Sequence, residues 1–348
     1  MYKYKLIRDD SEFRKWDDFV ASHDEGTPFH LSSWIRVIRD TYRFEPLCLA
    51  ATDEHDAIKG ILPLFVVKGP FGGKHVVSLP FSDYCGMLLD APDARAGLTE
   101  YLVDLLGKGS RYLEIRGGVP LWPDWQVLNA YKRHVLELDR DANSVYERLN
   151  RKTVQYSIRK AKRDRIEIVL DRTMDGVEKF YGLNVQTRKK HGVPSQPETF
   201  FRNVYENMFT DDLAFVLLAS RFGKILAGGF FFRFRDTVYY KYNASDPDCL
   251  KTFTPNHLLT WHGIETACRE GYRYFDFGRT SVHNTGLVRY KEMWGAKTVD
   301  LPYYYYPKVH GINANSENVP YGWAKSLWKR MPDRVAEAAS RCVFRYTT

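Results

Sequence analysis

Apolar and polar positions follow the same order in two stretches of the chain, and both stretches predict a β-hairpin. The first, at residues 47–65, reads LCLAATDEHDAIKGILPLF: an apolar strand, a polar turn and a second strand that opens around Gly60. The second, at 215–232, reads FVLLASRFGKILAGGFFF and places Gly228 at the corresponding point. Two apolar runs joined by a short polar segment are typical of paired antiparallel strands.

A strand that ends in glycine next to arginine also occurs twice. RYLEIRGG and RYFDFGRT both alternate apolar and polar residues, and each carries one acid, Glu114 in the first and Asp276 in the second. Both are preceded by a further strand and by a segment with a helical apolar face. The three elements lie at 74–80, 94–107 and 111–118, and again at 236–243, 255–270 and 273–280.

Because these features recur in the same order, the sequence favours two duplicated α/β units. Chance similarity between parts of one mixed α/β protein is the alternative. A hairpin followed by strand, helix and strand predicts, in each unit, a mixed and mostly antiparallel sheet flanked by helices. The length of 348 residues also exceeds the size at which one hydrophobic core stops growing. We therefore predict domains at 1–142 and 143–310 and a helical tail at 311–348.

Net charge and cysteine content indicate which kinds of partner and which cellular compartment to expect. The net charge of +8 favours phosphate-bearing or anionic partners. The five cysteines are scattered without the short spacing of a zinc site, which favours a reducing compartment and predicts no metal. The N-terminus is charged throughout, and the longest apolar runs, such as LAFVLLA at 213–219, are strand-sized. We therefore expect a cytoplasmic protein without a transmembrane segment.

The segment 143–165, NSVYERLNRKTVQYSIRKAKRDR, predicts a basic helix. Val154, Ile158 and Ala161 form its apolar seam at about 3.6 residues per turn. The cations on another arc suit the phosphate backbone of a nucleic acid, and a merely solvated helix face is the alternative. These cations are Arg148, Lys152, Arg159 and Arg163.

Two loops offer candidate chemistry. In SLPFSDYCGM at 78–87, Asp83 could take a proton or orient a substrate, and Tyr84 could donate to a developing oxyanion. The alternative is a turn that satisfies its own backbone. In QTRKKHGVPSQP at 186–197, Arg188 and the two lysines after it could clamp a diphosphate. Basic residues just before a glycine also form an ordinary C-terminal helix cap, which physical chemistry alone favours.

A third region, YFDFGRTSVHNTGLVRYKEMWGA at 274–296, places two cations around a strand end. Arg279 lies at the mouth of the strand, where ligands of α/β sheets tend to bind. Lys291 stands on a short helix that would pack back over that mouth. The alternative for Lys291 is a side chain that runs over Tyr290 and Trp294 towards solvent.

The stretch FTPNHLL predicts a helix start that faces the same strand end. Thr254 is its N-cap and Pro255 its first residue, so free N–H groups there, with Asn256 among them, could receive a phosphate. The sequence contains no G-x-S-x-G, P-loop, G-x-G-x-x-G or H-E-x-x-H pattern. What remains is direct transfer between two bound substrates, with no tightly bound cofactor.

Taken in order, several motifs resemble the FemAB family, the peptidoglycan-bridge aminoacyltransferases within the GNAT-like superfamily of N-acyltransferases. The resemblance is most specific for bacterial FemAB-like proteins linked to envelope polysaccharide and exosortase systems, and it implies two tandem GNAT-like domains. The motifs run along almost the whole chain: PFHLSSW, GILPLF, SLPFSDYCG, IRKAKR, FYGLNVQTRKKHGVP, FDFGRTSVHNTGL and RYKEMWGA.

The resemblance implies transfer of an acyl or aminoacyl group from an activated ester to an amine. In the family the donor is aminoacyl-tRNA and the acceptor is a peptidoglycan precursor with a diphosphate. The family's aromatic–lysine pair matches Tyr290 and Lys291, which makes Lys291 the residue expected to stabilise charge at the donor carbonyl, aided by a backbone N–H of strand 236–243. By the same matching, acceptor contacts correspond to Trp34 with Ser33 and to Thr187 with Arg188.

Two departures from the family leave the donor open. The long helical arm of some members is absent, and the Q/R-x-x-G-x-G/A motif that binds acyl-CoA is also missing, since the corresponding loop reads DPDCLKTFTPNHLL. The donor is therefore expected to be aminoacyl-tRNA or acyl-CoA, and the acceptor an amine of a peptidoglycan or polysaccharide precursor.

A non-catalytic protein that binds nucleic acid or an anionic surface is the alternative function. It would use the basic segment 143–165 and the C-terminal stretch 321–346. That stretch combines aromatic and basic residues as an interfacial helix does, which would give peripheral contact with the inner face of the membrane. Packing against the second domain is its other use.

Overall fold

The computed structural model describes residues 2–69, 72–120, 124–309, 322–344 and 346. The chain folds into two compact units. Of the described residues, the first contains 2–69, 72–120, 124–131, 301–309, 342–344 and 346, and the second contains 132–300 and 322–341.

The first unit is a mixed sheet with helices packed on it. In order, its strands are β1, β2, β3, β4 and β6, and the sheet continues to the end of β13. Only β4 and β6 are parallel among these pairs. The elements are β1 (Lys3–Ile7), α1 (Asp10–Ser22), α2 (Ser32–Tyr42), β2 (Glu45–Thr52), β3 (Ile58–Lys68), β4 (Lys74–Val77), β5 (Leu88–Leu89), α3 (Ala94–Leu106), β6 (Ser110–Arg116), the first half of β7 (Gln126–Glu137) and the second half of β13 (Lys297–Tyr306).

The second unit repeats this plan. Its sheet runs in the order β7, β12, β11, β10, β9 and β8. Its elements are the end of β7, α4 (Ala142–Arg148), α5 (Tyr156–Arg163), β8 (Glu167–Asp171), α6 (Met174–His191), α7 (Glu198–Val204), β9 (Ala214–Arg221), β10 (Lys224–Phe234), β11 (Thr237–Ser245), α8 (Pro255–Arg269), β12 (Tyr274–Ser281), α9 (Thr285–Glu292), the start of β13, α10 (Gly322–Arg330) and most of α11 (Asp333–Phe344).

Both predicted hairpins and the predicted repeat are confirmed. β2 with β3 and β9 with β10 are antiparallel hairpins. In each unit the hairpin is followed by one antiparallel pairing and then one parallel pairing, β3–β4–β6 in the first and β10–β11–β12 in the second. Each unit also has a hydrophobic core of its own, with α3 packed in one and α8 in the other.

The units divide the chain at places that differ from the predicted limits of 142 and 310. The first division falls inside β7, a continuous strand, because its residues up to 131 and from 132 onwards pack in different units. Residues 303–306 of β13 pair with β6, so they belong to the first unit. Pairing between strands nearly 200 positions apart leaves no local pattern in the sequence.

The predicted basic helix 143–165 is not one helix. α4 ends at Arg148, because the next residue, Leu149, is extended with a ψ of 150°. A new helical segment starts after Asn150, whose side chain accepts from Thr153 N. A short stretch of wide helical turn then leads into α5. The predicted seam is confirmed, because Val154, Ile158 and Ala161 are fully buried. The prediction that the four cations share one arc of a single helix was wrong, because the helix is interrupted.

The C-terminal tail holds α10 and α11, while residues 310–321 lie outside the described part. α10 packs against α6 in the second unit. Trp328 lines a cleft of about 330 Å³ on that side, whereas the neighbouring Leu327 is 56% exposed. Among the described residues, none of the helices has the length and apolar character needed to cross a bilayer.

His30 is a buried histidine of the first unit that makes its stability sensitive to acid. Thr27 N donates to His30 Nδ1 (3.2 Å), and His30 Nε2 lies 3.1 Å from Gly86 O, so we assign the neutral ring with its proton on Nε2. Thr27 Oγ1 also lies 2.7 Å from Nδ1, where its hydroxyl donates to the neutral ring. A second proton on Nδ1 would remove the acceptor that the N–H and the hydroxyl of Thr27 share. Burial lowers the pKa of His30 to about 4.

We expect acid to destabilise the protein through His30. In the unfolded chain a histidine has a pKa near 6.5, so between pH 6.5 and 4 the unfolded state binds more protons and stability falls as pH falls. The loss from pH 7 to pH 4.5 should be about 2–3 kcal/mol for this group. Urea unfolding of the wild type and His30→Asn at both pH values measures it. The variant should lose that part of the pH dependence, and exposed His55→Asn should keep it. An equal loss in His30→Asn and wild type would refute the assignment.

Candidate active site

A cavity of about 630 Å³ opens in the second unit where two parallel strands separate. Residues 237–239 of β11 pair with 274–276 of β12, and beyond these positions the two fully described strands are not paired with each other. A bulge in β11 lies at the same place, between its pairings with Phe230 and Phe231. The separated strands therefore leave backbone groups and side chains of both facing one space, of a size typical for small-ligand sites.

Four residues predicted from sequence line this one cavity. They come from four different elements: α6, the start of α8, the end of β12 and α9. They are spread over residues 188–291 of the sequence, so their meeting is a result of the fold. They are Arg188, Asn256, Arg279 and Lys291.

Lys291 is held inside the unit. α9 begins at Asn284, whose side chain accepts from Leu287 N, and Lys291 lies near its end with only 6% of its surface exposed. Its Nζ donates to Gly278 O (3.0 Å) and Arg279 O (3.2 Å). The ammonium therefore sits at the end of β12, and the alternative of a side chain reaching solvent is excluded.

The strand end that Lys291 holds is fixed from its other side by a buried carboxylate. Asp276 is fully buried, and its Oδ1 accepts from Gly278 N (2.7 Å). Its Oδ2 accepts from Arg133 Nε (2.7 Å). Gly278 has a φ of 72°, which a side chain would resist, so the turn that presents its carbonyl to Lys291 depends on glycine.

Arg188 is a half-buried cation that lines the cavity without an acid. Burial lowers the pKa of Arg188. In the part of the chain that the structure describes, its guanidinium has no hydrogen-bonded or ion-paired partner. The predicted helix cap is also present: Gly192 has a φ of 70° and its N–H donates to Arg188 O. The backbone carbonyl of Arg188 thus takes part in the C-terminal cap of α6, while its side chain lines the cavity.

The predicted helix start at Thr254 is present, but its hydroxyl points elsewhere. Thr254 Oγ1 donates to Ser157 O (2.8 Å), so it does not cap α8. Asn256 Oδ1 accepts from Ser245 Oγ (2.8 Å). Thr187, the neighbour of Arg188, exchanges two 2.9 Å hydrogen bonds with the Ser245 backbone. Thr187 therefore links α6 to β11 by hydrogen bonds, and it is not among the residues that line the cavity.

The cavity has an aromatic wall that includes a histidine the sequence reasoning missed. His257 packs edge-on to Tyr290 at 5.6 Å and parallel to Trp294 at 6.0 Å. Burial lowers the pKa of His257, so its ring is neutral at pH 7. The available signal was its position in the first turn of α8, beside the predicted Asn256.

The predicted residues of the first unit have packing roles. Trp34 is fully buried with its Nε1 donating to Ser82 Oγ (2.9 Å), and Ser33 is 3% exposed. Because both side chains are buried, neither Trp34 nor Ser33 presents a surface that a substrate could contact. This corrects the prediction that these two residues bind a substrate. Asp83 O accepts from Tyr303 (2.8 Å), and Tyr84 packs its ring edge-on to Phe29. Neither Asp83 nor Tyr84 lines the cavity, and catalysis by them stays a prediction.

The four cations predicted to bind nucleic acid are exposed on the second unit. Arg159 donates to Gln155 (3.3 Å), and Arg148 donates to Glu137 O (3.4 Å). Because the chain breaks at Leu149, the cations before and after it belong to separate helices. Their role as a nucleic-acid surface stays a prediction for Arg148, Lys152, Arg159 and Arg163.

Comparisons with known proteins agree with this architecture. Residues 148–292 match the model of the acetyltransferase (GNAT) domain family. The structure of FemX covers 87% of this chain and 96% of its own at 15% identity, with a TM-score of 0.65. A tandem GNAT protein from the clavulanic acid biosynthesis pathway covers 88% and 98% at 12% identity (TM-score 0.55), and L-PGS from Bacillus licheniformis covers 87% and 93% at 10% (TM-score 0.57). No curated protein sequence matches the chain.

Proposed function

We propose that the chain, whose residues 148–292 match the GNAT acetyltransferase domain and whose fold is similar to FemX and to a tandem GNAT protein, moves an acyl or aminoacyl group from an activated ester to an amine of a cell-envelope precursor. The transferase class follows from the GNAT domain. The ester donor, the amine acceptor and the residues in named roles are the proposed part.

The charge of the cavity is the observation that carries the proposal. Its described lining contains no aspartate or glutamate, yet Arg188, Lys241, Arg279 and Lys291 all face it. A half-buried guanidinium without an acid is costly, and an anionic ligand removes that cost by pairing with it. The first turn of α8, with no side-chain cap, adds N–H groups that favour a phosphate.

Lys291 and the backbone of β11 are the groups proposed to stabilise the transition state. When the amine attacks the ester carbonyl, negative charge develops on the carbonyl oxygen. Alternate N–H groups of β11 beyond residue 239 point away from β10 towards the gap left by β12, where they can donate to that oxygen. The Lys291 ammonium places a positive charge beside them, in a site largely shielded from water.

The proton that the amine loses needs an acceptor in the same cavity. His257 meets this need because its ring is neutral and lines the cavity together with Lys291. The intermediate then collapses as the C–O or C–S bond to the leaving group breaks, and the leaving group takes up a proton. The amide product and the free nucleotide carrier leave separately.

Two donor classes fit the proposal. Acyl-CoA is supported by the match of residues 148–292 to an acetyltransferase (GNAT) domain. Aminoacyl-tRNA is supported by the FemX-like fold and by the exposed cations of α4 and α5. An envelope precursor as acceptor is supported by the FemX likeness and by the net charge of +8.

Mass spectrometry of product mixtures tests the proposal. The protein is incubated with an amine-bearing, diphosphate-linked peptidoglycan or polysaccharide precursor and either acetyl-CoA or a pool of aminoacyl-tRNAs. We expect the acceptor to gain the mass of one acyl or aminoacyl group with one of the donors. Salt-dependent binding of RNA or anionic vesicles without consumption of either donor would instead support a non-catalytic binding protein.

A further inference from the structure

Phe222 occupies the tip of the β9–β10 hairpin in a conformation that phenylalanine rarely adopts. Arg221 pairs with Lys224 across a two-residue turn, and both turn residues have positive φ, 50° at Phe222 and 79° at Gly223. Such turns favour Asn-Gly or Asp-Gly, which tolerate this geometry. A bulky ring there is strained, and because 75% of Phe222 is exposed, burial does not offset the strain. Strain held at an exposed aromatic residue points to function.

The ring of Phe222 is the outer member of a stack that leads to the cavity. Arg221 Cζ lies 4.4 Å from the centroid of the Phe222 ring and 4.9 Å from that of Phe253. The guanidinium is fixed because its Nε donates to Asp164 O (2.7 Å). Lys160 Nζ lies 5.8 Å from the centroid of Phe253, which itself lines the cavity. One guanidinium therefore joins an exposed ring to a ring of the cavity wall.

We infer that the Phe222–Arg221–Phe253 stack binds the adenine of the donor nucleotide, an inference that rests on the proposed function. Acyl-CoA and aminoacyl-tRNA both end in an adenosine linked to phosphate, so the shared ligand chemistry is an adenine nucleotide. Aromatic rings and arginine planes hold bases by stacking, and nearby cations hold their phosphates. The stack leaves the outer side of the Phe222 ring open to a base.

An exposed aromatic tip among cations also suits an anionic membrane surface. The structure favours the nucleotide for two reasons. Arg221 is held between two rings, an arrangement that a membrane contact does not require. The inner ring belongs to the wall of the cavity that contains Lys291, so a base on the stack lies next to the place where its acyl group would react.

Phe222→Asn separates the role of the ring from the stability of the turn. Asparagine followed by Gly223 suits this turn, so the variant should be at least as stable as the wild type. Removing the stacking ring should weaken binding of coenzyme A about tenfold. Binding of 4′-phosphopantetheine, which lacks the adenosine, should not change. A second experiment measures binding of the RNA trinucleotide CCA and of the same molecule ending in an abasic ribose. Weaker binding of coenzyme A by Phe222→Asn identifies acyl-CoA as the donor, and weaker binding of CCA identifies aminoacyl-tRNA.

Leu327→Asn is the matched control, because Leu327 is another exposed apolar residue of the same unit, 56% exposed on α10. It should leave binding of both nucleotides unchanged. If Phe222→Asn binds coenzyme A and CCA as the wild type does, the adenine site is refuted and the proposed function stands. If Phe222→Asn loses only binding to phosphatidylglycerol vesicles, the tip is a membrane contact and the inference is wrong. Wild type that binds neither coenzyme A nor CCA would overturn the proposed function itself.

Discussion

Replacing Lys291 by alanine is expected to slow acyl transfer by about 100- to 1,000-fold, the effect of losing one preorganised group that stabilises an oxyanion. The ammonium lies at the end of β12, where two backbone carbonyls hold it. Because the charge matters mainly in the transition state, the rate of the chemical step should fall more than the affinity for the donor. Single-turnover kinetics with the donor identified by mass spectrometry measures this directly.

Two checks separate the catalytic role of Lys291 from a structural one. The variant leaves Gly278 O and Arg279 O without this donor, so its free energy of unfolding should be measured beside its rate. Burial and then the charge of Lys291 lower the pKa of His134 to about 4. In a folded Lys291→Ala protein the pKa of His134, followed by NMR, should therefore rise.

Lys297→Ala is the control for this experiment, since Lys297 is exposed and pairs with Glu137 in the same unit (3.1 Å). It should keep full activity. A folded Lys291→Ala protein with a wild-type rate would remove Lys291 from the mechanism and leave the backbone of β11 as the remaining group at the oxyanion.

Local patterns in the sequence were sufficient for the elements that carry the site. The apolar face of α8 was visible because Leu258, Leu259, Trp261 and Ile264 recur at helical spacing, and all are buried. The end of β12 was visible from its alternation and its glycine. The break at Leu149 also had a local signal, because asparagine is a favoured N-cap residue and Asn150 caps the helical segment that follows.

The parts that the sequence did not reveal depend on contacts between distant segments. The family resemblance gives Trp34 a role in substrate binding. Its neighbours Ile35, Val37 and Ile38 are also buried, and this run of buried residues indicates core packing instead. β13 pairs with β6 through backbone hydrogen bonds, which carry no residue signature. A basic residue in the last turn of a helix predicts a cap, which describes the backbone of Arg188 and not the cavity that its side chain reaches.

Replacing Arg188 by methionine is expected to weaken ligand binding while leaving the fold at least as stable. A half-buried cation without an acid opposes folding, so an apolar side chain of similar length should keep or raise the free energy of unfolding, by up to about 2 kcal/mol. Losing a charge-assisted contact to phosphate should weaken binding of coenzyme A and of inorganic diphosphate by about 10- to 100-fold. Urea unfolding and calorimetric titration on the same samples measure both effects.

Arg233→Met is the comparison for Arg188→Met, because Arg233 is a buried arginine that does pair with acids. It is 8% exposed, and it pairs with Glu270 (3.0 Å) and with Asp212. Removing it leaves Glu270 without this cation and Arg172 as the remaining partner of Asp212, so the free energy of unfolding should fall by about 1–3 kcal/mol. If Arg188→Met is destabilised to the same extent, Arg188 serves the fold. If it is stable and binds both ligands as the wild type does, the cavity does not use Arg188 for phosphate.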